Sequence, residues 1–239
     1  MRTRVGEVML VVLAIGLRTA DAQTKPQVRD PLAPTTSAAS ATIGPLHTAT
    51  ICTSDLAAST RIYRDGLGMR VGGAVPLEPP AKAALAHLWG IPDADAWSLH
   101  LVDRPDVDGE THIRLIVFDK PGPAIRATWN PAEPGPFTLG FPTTDLPALD
   151  ATMRKLGFAS LAPMERSEMK RPDGSTYGLM EAIYRGPDKV HVVGVSRLDG
   201  MPQLGPVNAA GHGGPAYSAQ VVSGADPLLK FYVDALRSE

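Results

Sequence analysis

The chain has 239 residues, a net charge of −2 and 44% hydrophobic residues. This length fits one compact domain or two small ones, and the apolar share is large enough for a core. The weakly negative charge argues against the strongly basic class of nucleic-acid-binding proteins. The counts of 23 glycines and 23 prolines predict many turns and short elements.

The N-terminus has the pattern of a secretory signal peptide. Two arginines precede the apolar run 8–17, and Ala20-Asp21-Ala22 is a small-x-small cleavage pattern. The run is too short to span a bilayer, and no later segment is long and apolar enough to do so. We therefore expect a signal peptide over residues 1–22 and an exported protein, periplasmic or secreted, cleaved after Ala22. An uncleaved anchor is the alternative.

Residues 23–45 are rich in Pro, Ser, Thr and Ala and lack apolar periodicity, which is typical of a flexible linker. Cys52 is the single cysteine, so an exported chain has no internal disulfide. Because Cys52 lies in a strand of threonine and apolar residues, we expect a buried, inert thiol. A reactive thiol is the alternative.

Residues 46–130 predict a first unit of one strand, one helix and three further strands. Residues 56–68 carry apolar side chains at helical spacing and end at Gly68. A second helical pattern, 81–90, is inserted after the second strand. The strand patterns are 46–55, 69–75, 96–103 and 111–118.

Residues 131–200 repeat this order. Asp145 corresponds to Asp55, and Leu156-Gly157 corresponds to Leu67-Gly68, at nearly the same offset along the chain. A repeated strand–helix–three-strand unit predicts an α+β fold of two βαβββ modules packed edge to edge. The elements of the second unit are 136–145, 146–157, 158–164, 176–186 and 190–197.

Residues 201–239 predict a linker and an incomplete third module. Within 215–239, Phe231-Tyr232 and Leu236 resemble the first helix, and the pattern stops before a second strand. Either the chain is a fragment of a longer protein, which we favour, or this tail packs as a lone strand and helix. For an orphaned half-module, we expect deletion of 215–239 to leave the stability of the remainder nearly unchanged.

Three segments resemble the vicinal oxygen chelate superfamily, which includes glyoxalase I, bleomycin-resistance proteins and extradiol dioxygenases. The segments are 55-DLAASTRIYRDGLGM-69, 144-TDLPALDATMRKLGF-158 and 185-RGPDKVHVVGV-195. The resemblance implies paired βαβββ modules whose sheets curve around a shared pocket. It also implies a divalent metal held by His and Glu from the first and last strand of each module.

The family's ligand positions fall on Thr48, Arg114, Thr138 and Val193 in this chain. Two hydroxyls, a guanidinium and an isopropyl group do not make a cation site, so we expect a degenerate metal centre and no cofactor. His47 lies one residue from the ligand position, and such a shift turns a strand side chain to the opposite face. A divalent metal remains the alternative, held by shifted ligands: His47, His100 and His112.

Arg114 is the most informative residue of the predicted pocket, because a guanidinium recognises carboxylate or phosphate groups. A purely structural pairing of Arg114 with Glu181 is the alternative. The remaining predicted ligand-binding residues are His112, Thr48, Thr138 and His191.

These patterns predict an exported protein that binds a small, anionic organic molecule between its modules. The alternative is a metal-dependent enzyme of the same superfamily, a lyase, isomerase or dioxygenase, with its ligands shifted or in modules absent from this chain. A third interpretation is an interaction module in which the repeat is only a scaffold. The sequence identifies no catalytic residue, and it neither favours nor excludes a dimer.

Overall fold

A computed structural model describes residues 46–230 except 93–95, 105–111, 121, 124–125, 127, 131–132, 134, 172, 225 and 229. The predicted signal peptide, the linker 23–45 and Phe231-Tyr232 lie outside the described residues. Within the described ranges, no helix is long and apolar enough to cross a membrane.

The first module forms a four-stranded mixed sheet in the order β1-β4-β3-β2, with β1 parallel to β4. A short helix leads into a π-helical turn, Arg61–Gly66, and a longer helix is inserted between β2 and β3. The element bounds are β1 Thr48–Thr53, α1 Leu56–Thr60, β2 Arg70–Ala74, α2 Pro79–Trp89, β3 Trp97–Asp103 and β4 His112–Phe118.

The second module repeats this topology in the order β5-β8-β7-β6, and a ninth strand is added beside β5. The paired βαβββ architecture and the α+β class are therefore confirmed. The element bounds are β5 Gly135–Pro142, α3 Leu146–Lys155, β6 Arg166–Lys170, β7 Thr176–Arg185, β8 His191–Arg197 and β9 Tyr217–Val221.

The repeated aspartates begin the first helix of each module. A carboxylate oxygen of Asp55 accepts from the Ala58 backbone N–H at 2.8 Å, and Asp145 accepts from the Ala148 N–H at 2.9 Å. Such a cap satisfies one of the backbone donors left unpaired at a helix start. The repeat in the sequence therefore reflects a repeated local interaction.

The two modules share one hydrophobic core. The Tyr63 ring lies 6.1 Å from the Phe141 ring, between centroids, and Gly66 is packed against the side chain of Met153. Ile113 and Leu115 are buried on the helix-facing side of β4, as their alternation predicts. Because residues of both modules contribute to this cluster, neither module buries its helix face alone.

The inserted helix α2 covers part of the other face of the first sheet. Trp89 contacts Trp97 edge to face, with 5.9 Å between ring centroids. This smaller cluster buries Ala86, Ile91, Trp97, Leu99 and Ile116. Part of this face of the first sheet is therefore occupied by protein side chains.

The described part of residues 215–239 is integrated into the second module, because β9 is hydrogen-bonded antiparallel to β5. The Tyr217 ring lies over Gly140, and its hydroxyl donates to Glu181 at 2.9 Å. The expectation that this segment contributes nothing to the stability of the remainder does not agree with these contacts.

The loop before β9 binds both modules. The Asn208 side-chain amide donates to the carbonyls of Leu67 and Gly68 at 3.4 and 3.3 Å, and buried Arg104 donates to the Pro206 carbonyl at 3.1 Å. The His212 ring is hydrogen-bonded to Thr143 of the second module at 3.0 Å. We call residues 206–213 the connecting loop.

Candidate binding site between the modules

A cavity of about 1240 Å³ lies between β1 of the first module and the β5–β9 edge of the second. It exceeds the roughly 300–1,000 Å³ of an ordinary small-molecule site, and we call it the inter-module groove. Its lining includes the whole of β1, the Ser218–Gln220 part of β9, Thr138 and Leu139 of β5, Asp188 and Val190, and residues 118–120 and 122–123 after β4.

The groove runs along the edge of β1, because consecutive residues from Thr48 to Thr53 line it. The His112 N–H donates to the His47 carbonyl at 3.0 Å, which sets the phase of the parallel β1–β4 ladder. Alternate residues of such a strand bond to the same neighbour. Thr48, Thr50 and Cys52 therefore direct their backbone N–H and C=O groups toward the groove.

Cys52 is exposed at this edge, so the prediction of a buried thiol is wrong. Its side chain shares a face with Thr48 and Thr50, and in this part of the strand that face is open to the groove. Partial burial and the negative charge of Asp188 raise the pKa of the thiol, which favours the protonated, unreactive form.

Asp188 connects the turn before β8 to the end of β1. Its carboxylate accepts hydrogen bonds from the Thr53 side chain and the Ser54 backbone, while its Oδ2 atom is buried without a partner. Burial, more than the neighbouring charge of Asp55, raises the pKa of Asp188. Asp188 lies within the 185–195 segment that carries the family resemblance, but no local sequence pattern marks it as a groove residue.

Arg114 lies beside Thr50 in the β1–β4 register, and its side chain is exposed. Arg114 itself does not line the groove, but its neighbour Thr50 does. Within the described part of the chain, Arg114 forms no hydrogen bond or ion pair. Glu181, the suggested structural partner, accepts from Tyr217 instead.

The histidines do not assemble into one cluster. The rings of His47 and His112 are 5.8 Å apart between centroids, and His47 is hydrogen-bonded to the Thr48 hydroxyl at 2.8 Å. His100 pairs with Leu115 in the β3–β4 register, so it lies on the opposite face of the sheet from His112. Its two ring nitrogens contact the Gly72 carbonyl and the Ser98 hydroxyl at 3.0 and 3.1 Å.

The predicted residues of the second module are largely enclosed. Thr138 lines the groove, and its hydroxyl donates a hydrogen bond to the His191 carbonyl at 3.5 Å. His191 is buried against Trp129, with 4.8 Å between ring centroids, and Val193 is also buried. The structure thus brings Thr48 and Thr138 to one groove, and places His112 and His191 next to these threonines on β4 and β8.

The positions to which the family resemblance assigns metal ligands carry side chains that do not suit a divalent cation. Thr48, Arg114, Thr138 and Val193 offer no carboxylate or imidazole, and a guanidinium disfavours a neighbouring cation. In the portion of the chain that the structure describes, no group of three His, Cys, Asp or Glu side chains could hold a metal. We therefore derive no chemistry through a metal at this site.

Comparisons with known proteins support the fold. No protein-family model and no curated protein sequence matches the chain. A glyoxalase family protein from Bacillus cereus aligns with a TM-score of 0.50 and 16% identity, over 66% of this chain and 96% of that protein.

Two further structures are similar over different shares of the chain. Glyoxalase I from Zea mays aligns with a TM-score of 0.46 and 15% identity, over 82% of this chain and 56% of that enzyme. A glyoxalase/bleomycin resistance protein/dioxygenase superfamily member from Sphaerobacter thermophilus has a TM-score of 0.37 and 18% identity, over 64% of this chain and 98% of that one. From the Bacillus cereus match and the observed topology, the chain has the vicinal oxygen chelate fold of glyoxalase family proteins.

Proposed function

We propose that the protein binds a small organic anion in the inter-module groove. The observation that carries this proposal is the groove itself, which is large and is lined by both modules. Among the residues that the structure describes, β1 is an edge strand that pairs only with β4, so its other edge faces the groove. Backbone N–H groups that have no protein acceptor are ready donors for the oxygens of a ligand.

Arg114 is the residue that we assign to the anionic group. It is exposed beside Thr50 and has no acidic partner among the described residues, so its guanidinium keeps its donors for a ligand. Arg114 lies next to the lining residue Thr50, and Lys120 supplies a positive charge on the groove lining itself, whereas Asp119 and Asp188 oppose it. A ligand with one anionic group near Arg114 and a neutral remainder suits this distribution.

The remainder of the ligand meets short polar and apolar side chains. Thr48, Thr50, Thr138 and Ser218 supply hydroxyls, and Leu46, Ile51, Leu139 and Val190 supply apolar surface. Such a lining fixes an organic molecule by shape and a few hydrogen bonds. We assign binding roles to these residues and no catalytic step.

The proposal is tested with 2-naphthoate and 2-naphthamide, which share a shape but differ in charge. We expect 2-naphthoate to raise the thermal midpoint of the wild type more than 2-naphthamide does. A bidentate arginine–carboxylate contact in a partly desolvated site is worth about 1.5–3 kcal/mol, or about ten- to more than a hundredfold in affinity. Arg114→Leu should remove the difference between the two probes.

Arg64→Leu is the matched control, because Arg64 is also exposed and is paired with Asp65 in the π-helical turn Arg61–Gly66. This variant should respond to both probes as the wild type does. A chelator should leave the midpoint of the purified protein unchanged. One equivalent of bound metal, whose removal lowers the midpoint, would restore the metalloprotein interpretation with His47 as the first ligand to examine.

A further inference from the structure

The second module carries an added strand on an edge that the first module leaves open. Thr48 of β1 corresponds to Thr138 of β5, and these threonines pair with His112 and His191 in equivalent parallel ladders. The outer edge of β5 is covered by β9, which runs antiparallel to it. Among the described residues β1 pairs only with β4, so the corresponding edge of β1 has no strand beside it.

The open edge of β1 presents a regular row of backbone groups to the groove. Thr48, Thr50 and Cys52 direct their N–H and C=O groups toward it, and these groups form no hydrogen bond with another described residue. The row extends over about 13 Å, with one donor and one acceptor at every second residue. A strand edge of this kind is a template for pairing with another extended chain.

The groove has room for such a chain. It lies between two edge strands, because β9 ends the second sheet as β1 ends the first. Its volume of about 1240 Å³ exceeds the roughly 300–1,000 Å³ of an ordinary small-molecule site. A ligand longer than a single small molecule can therefore lie along β1.

The side chains beside β1 indicate which residues an added strand would carry. Opposite residues of neighbouring strands share a face, so a residue placed opposite Thr50 lies on the face of Arg114. The second module has the equivalent arrangement, in which Tyr217 of β9 lies over Gly140 and reaches across the sheet to Glu181. An acidic side chain opposite Thr50 would accordingly extend toward the exposed Arg114.

The other face of β1 favours apolar neighbours. Ile51 is packed against the shared core, and Leu139 and Val190 line the groove. Residues on either side of the acidic position would point to this face, because side chains alternate along a strand. The suitable pattern is therefore a central acidic residue between two apolar ones.

We infer that the ligand of the inter-module groove is a short extended peptide, which adds to β1 as a strand and places a carboxylate beside Arg114. This inference rests on the proposed function, from which it takes the groove and the anionic group, and it names the class of ligand. Backbone hydrogen bonds to β1 supply affinity, while the alternating side chains supply selectivity.

The probe is the capped peptide acetyl-TVEVT-amide, whose palindromic order gives the same pattern in either strand direction. We expect saturable binding to the purified protein by calorimetric titration. Acetyl-TVQVT-amide lacks only the charge and should bind at least about tenfold more weakly. Arg114→Leu should bind the two peptides equally.

A second comparison isolates the backbone contribution. TVEVT that is N-methylated at its three central residues keeps the side chains and the charge but lacks their N–H groups. It should not bind detectably, because a strand without these donors cannot complete the ladder with β1.

Amide hydrogen exchange, followed by NMR, gives a readout for single residues of β1. Bound TVEVT should slow the exchange of the Thr50 and Cys52 amides, which face the groove. The amides of Ala49 and Ile51 already face β4 and should change little. A peptide lying across the face of the sheet would not produce this alternation.

Thr50→Pro tests the same edge by mutation. It removes one N–H that faces the groove, a change that an edge strand tolerates, and should weaken the binding of TVEVT. Arg64→Leu, remote from this edge in the π-helical turn, should bind TVEVT as the wild type does. Circular dichroism and the thermal midpoint verify that each variant is folded, and the exchange experiment needs no variant.

The outcomes separate this inference from the proposed function. If the wild type binds 2-naphthoate but not TVEVT, the inference is wrong and the proposed function stands; if it binds neither, both are wrong. Equal affinity for TVEVT and its N-methylated form, or protection of β1 amides without alternation, would also overturn the inference.

Discussion

The contact between Gly140 and Tyr217 yields a quantitative prediction about the role of β9. A Cβ atom added at Gly140 would fall within the Tyr217 ring, far inside the 3.5–4.0 Å of ordinary carbon contacts. Gly140 has no positive φ, so alanine meets no backbone strain there. Gly140→Ala should therefore destabilise the protein only by displacing Tyr217.

The size of the effect follows from what Tyr217 loses. Overpacking of a well-packed site costs about 1–3 kcal/mol. Moving the ring also breaks the 2.9 Å hydrogen bond to Glu181, and a hydrogen bond to a charged group is worth about 1.5–3 kcal/mol. Allowing for partial relaxation, we expect Gly140→Ala to lower the free energy of unfolding by about 2–4 kcal/mol.

The assay is a double-mutant cycle measured by urea unfolding. In the Tyr217→Ala background the obstructing ring is absent, so Gly140→Ala should be neutral or stabilise by about 0.4–1 kcal/mol. Gly73→Ala is the control, because open space surrounds Gly73. If the effects of Gly140→Ala and Tyr217→Ala add to within about 0.5 kcal/mol, the packing of β9 on β5 described here is incorrect.

Three further predictions concern other segments of the chain. Deleting residues 215–239 removes β9 from the second sheet. The deletion should lower the thermal midpoint by roughly 5–10 °C, since each kcal/mol of lost stability lowers it by about 2–4 °C in a protein of this size. An unchanged midpoint would support the original expectation that this segment is an orphaned half-module. The pKa of His212 is lowered, chiefly by burial and further by Arg104, so its contribution to stability should be complete above about pH 6.5 and be lost as the pH falls. His212→Asn should make the thermal midpoint less dependent on pH between pH 7.5 and 5. The control is His87→Asn, because His87 is exposed on α2. An unaltered pH dependence in the His212 variant would contradict the role given to His212. N-terminal sequencing of exported protein should begin at Gln23, whereas recovery of Met1 would exclude cleavage after Ala22.

The fold was predicted from the spacing of apolar residues and from the helix-capping residues. Asp55 and Asp145 begin equivalent helices, and each bonds to a backbone N–H three residues later, within the same segment. The alternation of Ile113 and Leu115 likewise identified the helix-facing side of β4. Helix caps and strand alternation involve residues that are close together in the sequence. They can therefore be predicted from one sequence.

The site depended on contacts between distant segments, and there the sequence was less informative. Alternation placed Arg114 on the open face of β4, but His100 was expected near His112 and lies on the other face. A shift of one residue in strand pairing reverses the face, and the pairing of β3 with β4 is not readable from either strand alone. The Tyr217–Glu181 contact joins β9 to β7, and no local pattern marks it.

The connecting loop has a consequence for the order in which the protein can fold. Residues 206–213 follow both modules in the chain, yet they supply the hydrogen bonds of Asn208 to the Leu67 and Gly68 carbonyls and of His212 to Thr143. During synthesis, which proceeds from the N-terminus, these bonds cannot form until residue 212 has left the ribosome. A nascent chain ending near residue 200 contains all the strands of both modules but lacks these connections, and Arg104 then lacks its Pro206 acceptor. The shared core can therefore form first, and the hydrogen bonds that the connecting loop adds to both modules are a late event in the life of the chain.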